Sequence, residues 1–171
     1  MCVPSQAARR ATLIGVRAPL FVVTGIVAAL TLGLTAGCAG SVAVPVPSPE
    51  PTGSAASTCA DLDEALPSSV LDQVRRQTEP DSVFTSAYGN PPITVRCGVG
   101  VPLALTATSL LATINDIDWL PEQRSAGYVF TTVGRVVNVE VAVPDAFTPE
   151  TDVLVDLSPS IEANIPLVVP Q

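Results

Sequence analysis

The chain has 171 residues, eight basic side chains that are all Arg, 16 acidic ones, no Lys and no His, for a net charge of −8. Without His there is no Ser–His–Asp or Cys–His base and no imidazole for zinc or haem. Without Lys there is no Schiff-base nucleophile and no P-loop ammonium. The acidic balance argues against a nucleic-acid partner, and the length fits about one domain.

Residues 1–37 read as an export segment rather than part of the fold. Arg9, Arg10 and Arg17 precede an uncharged run of 20 residues, Ala18–Gly37, and no acid occurs before Glu50. The run ends on Leu34-Thr35-Ala36-Gly37-Cys38, which resembles the bacterial lipobox, with Thr35 where that motif more often has Leu. The resemblance implies a diacylglyceryl-modified (palmitate-bearing) Cys38 after cleavage between Gly37 and Cys38. Two other readings stand beside it. A 20-residue apolar helix spans ~30 Å and would serve as an uncleaved anchor; an ordinary signal peptide cut near Ala36 or Ala39 would free the protein. The lipoprotein reading is preferred, placing the domain on the extracytoplasmic face of the cell membrane. Removing the three N-terminal Arg leaves five Arg against 16 acids, a net charge of −11.

Residues 38–57 read as a tether without secondary structure. Pro45, Pro47, Pro49 and Pro51 alternate with small residues and lead into Gly53-Ser54-Ala55-Ala56-Ser57. Fully extended, such a segment would lift a domain up to ~60 Å from the membrane. Cys2 falls in the export segment and Cys38 carries the lipid, leaving Cys59 and Cys97. An isolated pair outside the cytoplasm reads as a disulfide, closing a loop of 39 residues.

Residues 58–171 are expected to form one α+β domain: an antiparallel sheet of about five strands with N- and C-terminal helices packed on one face. The four-residue spacing of Leu62, Leu66, Val70 and Val74 predicts a short helical turn over 60–66 and a helix over 68–77, broken at Pro67. Period-two alternation predicts strands over 83–87, 93–97, 111–114, 117–120, 127–133 and 135–143. Asn115-Asp116 and Gly134 mark turns. Pro149-Glu150 opens a helix with Val153, Leu154 and Leu157 on one side, and Ser158-Pro159 predicts a fresh start for a second short helix ending near Asn164.

Several of these stretches together are similar to a known actinobacterial family, catalogued as domain of unknown function 3515. They are Tyr88-Gly89-Asn90-Pro91-Pro92-Ile93, Arg96-Cys97-Gly98-Val99, Asp118-Trp119-Leu120, Thr131-Thr132-Val133-Gly134-Arg135 and Val139-Glu140-Val141-Ala142-Val143-Pro144. The similarity covers about 58–165. It implies an envelope protein, anchored by a lipobox or a single helix, and carries over no catalytic residue.

Candidate contacts are few. Asp116, Asp118 and Trp119, with Glu122 nearby, form the densest polar–aromatic cluster. Carboxylates there suit Ca²⁺ and the indole suits a sugar ring, but no EF-hand spacing appears, and the plainer reading is an outward-facing hairpin. Arg96 and Glu140 are expected on the open sheet face, paired with each other or marking a contact surface. Gly98-Val99-Gly100 lacks the third Gly of a dinucleotide loop and reads as a strand end. No catalytic residue, metal or cofactor is expected. The leading expectation is a non-enzymatic module that binds another envelope protein; the alternative is a binder of a small ligand or cell-wall glycan through Trp119.

Overall fold

The computed structural model describes residues 42–169; the export segment and Cys38 lie outside them. In chain order the elements are β1 (Val44–Pro45), α1 (Ser54–Ala65), β2 (Ser69–Val70), β3 (Gln73–Arg76), β4 (Thr78–Glu79), β5 (Thr85–Tyr88), β6 (Ile93–Val99), β7 (Ala112–Ile114), β8 (Ile117–Arg124), β9 (Gly127–Val133), β10 (Asn138–Pro144) and α2 (Thr151–Asn164). The architecture is α+β as expected, but the antiparallel sheet has eight strands rather than about five, ordered β2-β3-β5-β6-β10-β9-β8-β7. β1 and β4 form a separate parallel pair.

Alternation builds the centre of the sheet. Val139, Val141 and Val143 of β10 share a face with Ile93, Val95 and Cys97 of β6, and all six are buried. Leu62 and Leu66 in and after α1, and Val153, Leu154, Leu157 and Ile161 of α2, complete this core. Each fully buried aliphatic side chain of this kind contributes ~1.5–3 kcal/mol from apolar burial.

The predicted helix over 68–77 is instead the β2–β3 hairpin. Val70 pairs with Gln73 across a two-residue turn in which Leu71 and Asp72 both have positive φ, 46° and 61°. That is the backbone hand that matches strand twist in a two-residue hairpin, though Leu adopts it reluctantly. A distant residue holds it there: the Leu71 N–H donates to Asp156 Oδ2 of α2 at 2.9 Å. The apparent stripe fails at its last member, since Val74 is 69% exposed. β3 gains a ladder to β5 instead, with Arg75 opposite Tyr88.

Two more corrections concern helices. α1 begins at Ser54, so the Gly/Ser/Ala stretch expected to lack secondary structure leads into its first turn, and Ala55 packs against the core. α2 runs unbroken through Pro159, where a second helix was expected. Pro159 offers no N–H to the Val155 carbonyl, but both residues lie on the exposed side, where water substitutes. One position earlier, the Ser158 hydroxyl donates to the Leu154 carbonyl at 2.6 Å.

The expected tether is also taken up by the fold. Val44 and Val46 are buried against Ala87 on the sheet face opposite the helices. Their N–H groups donate to the carbonyls of Gln77 and Glu79 at 2.8 and 3.1 Å. Alternating Pro did leave an extended chain, but with buried Val at every second position it became a strap.

Candidate functional site

β6 and β7 run parallel, separated in the sheet by β10, β9 and β8, so the chain must cross ~19 Å between them. Residues 100–111 make that crossing, and they carry the largest exposed aliphatic side chains away from the C-terminal tail. Leu103 is fully exposed and Leu110 89% exposed, with Val101 also outward. The segment is braced internally. The Leu105 N–H donates to the Pro102 carbonyl at 3.1 Å, and the Ser109 N–H to the Thr106 carbonyl at 3.2 Å. The Thr106 N–H donates back to Ser109 Oγ at 2.9 Å. Leu103 lies in the first of these turns and Leu110 follows the second, both held out in water. Leu110 stands two residues before β7, a sheet edge that pairs only with β8 among the described strands. Unpaired edge backbone next to exposed leucines is suited to adding a strand or packing a partner. Sequence reading passed over this segment; its signal was four Leu and a Val in a Thr/Ser/Ala run with no alternation to bury them.

The predicted contact residues separate. Asn115 and Asp116 form a two-residue turn with positive φ at both positions, 47° and 59°. Asp118 points to solvent and accepts from Thr113 Oγ1 at 2.6 Å. Trp119, the next residue, is fully buried among the core side chains, and its Nε1 has no hydrogen-bond partner. Strand alternation thus sends the indole and the carboxylate to opposite faces, and no ring face is available to stack on a sugar. Among the described residues no group of three or more Cys, Asp or Glu is placed to hold a metal ion.

Arg96 and Glu140 face each other across β6 and β10, with Nη1 2.8 Å from Oε1. Arg96 Nε also donates to the Pro47 carbonyl at 2.9 Å. The face expected to be open is therefore crossed at this point by the chain's own strap. Cys59 and Cys97 are joined as a disulfide, tying α1 to β6 with Cα atoms 5.5 Å apart.

A polar cluster that sequence reading did not find lies between α1 and the β3–β5 ladder. Arg75 pairs with Asp63 through Nη2, which also donates to Ser86 Oγ at 2.9 Å, and the Ser86 hydroxyl donates to Asp63 Oδ1 at 2.9 Å. Ser86 is buried with both roles of its hydroxyl used, which makes the trio a clamp on α1 rather than a nucleophile with its base. A cleft of about 350 Å³ opens beside it, lined by Asp63, Arg76, Thr78, Asp81, Ser82 and Thr85. Tyr88 donates its hydroxyl to the Pro67 carbonyl at 3.1 Å. Burial pushes its pKa up to about 12, with Arg75 pulling it down and Asp63 pushing it further up.

Arg135 is the one buried charge among the described residues. Its Nη1 donates to the Ile165 carbonyl at 2.6 Å and Nη2 to the Asp116 carbonyl at 3.3 Å. A guanidinium against the last carbonyls of α2 satisfies acceptors that the helix leaves open and meets the negative end of its dipole. Arg135 thus ties α2 to the β7–β8 turn.

Fold and site together define a small disulfide-linked α+β domain with a strapped sheet and a braced apolar crossover. The family described as "Protein of unknown function (DUF3515)" matches residues 16–169, and the chain belongs to it. No curated protein and no solved structure matches the chain. Among the described residues no helix is long and apolar enough to cross a membrane.

Proposed function

We propose that this protein is a non-enzymatic interaction module of the cell envelope, lipid-anchored through Cys38, that binds another envelope protein through the 100–111 crossover and the adjoining β7 edge. The observation that carries the reading is the bracing of Leu103 and Leu110 in solvent on the segment that leads into β7, whose outer edge has no partner among the described strands. Isolated exposed leucines are common, but leucines held out by a hydrogen-bonded segment next to a free edge make a preorganised docking patch. The glycan-binding alternative relied on Trp119, whose ring is inaccessible. A photo-crosslinking residue at Leu103 or Leu110, and a control at Glu162 on the exposed side of α2, tests this in living cells. Capture of one envelope protein from the first two positions alone, lost from each when the other leucine is changed to Asp, supports the proposal. Identical capture from all three positions refutes it, as does saturable wall-fragment binding that survives both substitutions.

A further inference from the structure

The strap leaves very little chain between the fold and Cys38. Arg76 Nη2 donates to the Val42 carbonyl at 2.6 Å, and Nη1 of the same guanidinium donates to the Gly89 carbonyl at 2.8 Å. Val42 is therefore pinned beside the β5–β6 turn. From there the chain follows β4, passes Arg96 at Pro47, shares a Ser48–Ser82 hydroxyl hydrogen bond of 2.8 Å, and reaches the far end of β6 at Pro51. There Gly98, with φ 89°, has no side chain, and a Cβ would lie 2.7 Å from the Pro51 ring. Of the 20-residue stretch read as a spacer, everything from Val42 onward belongs to the strap or to α1.

Four residue steps separate Cys38 from Val42, a reach of at most ~14 Å when fully extended. We propose that this short leash holds the domain on the bilayer surface, with the β5–β6 turn end toward the lipid and the Val136 end away from it. This rests on the lipid-anchor reading of Cys38. The end so placed carries an aromatic and a basic side chain beside two exposed carboxylates, Asp72 and Asp145. Pro91 is exposed, Tyr128 is half-buried, and Arg124 is the one exposed Arg among the described residues. Tyr128, Arg124 and Pro92 line a shallow depression there. The Arg124 guanidinium is paired with Glu122 at 2.9 Å; at a bilayer the Tyr128 ring would sit at the apolar boundary, and Arg124 would exchange that carboxylate for headgroup phosphate or bridge the two. The opposite end presents Asp116 and Asp118, about one strand length away and both exposed.

The test uses mature acylated protein purified from membranes and placed in vesicles of phosphatidylglycerol and phosphatidylethanolamine carrying an energy-acceptor headgroup. Donor dyes are attached at Asn90→Cys or at Val136→Cys, both exposed, with the Cys59–Cys97 disulfide intact. Transfer from Asn90 is expected to exceed transfer from Val136. Inserting a Gly/Ser segment between Ser41 and Val42 lengthens the leash without touching the fold, and the difference should then be lost. Equal or reversed transfer in the acylated protein overturns the inference, as does a difference that survives the insertion. Intact mass reports separately on the anchor: a mature chain without acyl groups on Cys38 refutes the lipid-anchor reading itself.

Discussion

Removing the Cys59–Cys97 bridge by Cys59→Ala with Cys97→Ala tests how the two ends of the first half of the domain are held. The bridge spans a sequence separation of 38 residues, and chain-entropy arguments assign a loop of that size ~4 kcal/mol of stabilisation at 25 °C. Both sulfurs sit in the core, with Cys59 and Cys97 essentially unexposed, so loss of their packing adds to the cost. For a domain of this size ~4 kcal/mol lowers the melting temperature by roughly 12–20 °C. The expected outcome is a folded but less stable protein, measured by thermal unfolding of the mature chain with and without the bridge. Hydrogen exchange should localise the change: amides of β2, β3 and β5 lie inside the closed loop and lose protection first, while the β8–β9 ladder keeps more of its own. A melting shift under about 5 °C would refute the reasoning, as would uniform loss of protection in every strand.

Substitutions at three other positions follow from the buried polar groups. Trp119→Ala should cost ~3–5 kcal/mol by opening a core cavity, whereas Trp119→Phe should cost less than half of that because it also removes an unpaired N–H; denaturant titration distinguishes them. Tyr88 gives a pH signature. Its folded-state pKa is raised to about 12 from 10.0, so its contribution is fully present below pH ~10 and is lost through pH ~12, amounting to roughly 2–3 kcal/mol. Tyr88→Phe should flatten that part of the stability–pH curve, and an unchanged curve would count against it. Arg135→Ala should cost ~2–3 kcal/mol through two charge-assisted hydrogen bonds, and Arg135→Lys should not rescue it, because one ammonium does not reproduce a planar fork; melting curves of both variants check this.

What could be read from sequence was the regular part. In 93–97 and 137–143 every second residue is apolar, and the structure buries that set on one side of β6 and β10. Asn115-Asp116 signalled its turn because those residue types tolerate positive φ. The β2–β3 hairpin was illegible for the opposite reason. Its strands have two and four residues, and its turn places Leu71 where its N–H is held by Asp156, 85 residues away. The strap failed similarly, since alternating Pro reads as spacer and only Ala87 and the backbone of Gln77 and Glu79 give Val44 and Val46 something to join. For the contact residues, proximity in sequence misleads: Asp118 and Trp119 are neighbours in the chain and back to back in the strand. The crossover escaped because a non-periodic apolar run says nothing about whether its leucines find a core.

The strand order also carries a consequence for how this chain divides. β2, β3, β5 and β6 follow one another as one meander, and β7, β8, β9 and β10 as another, the two meeting where β6 pairs with β10. Each half owns one helix, α1 ahead of the first meander and α2 behind the second. Cutting the backbone between Ala104 and Thr108 therefore severs no ladder and yields two polypeptides, each with an unfinished edge that only the other completes. Co-expressed, the two pieces should reassemble and restore protection to the β6–β10 amides, with Leu103 and Leu110 then lying on separate chains. The protein would serve as a split reporter whose halves report their own meeting.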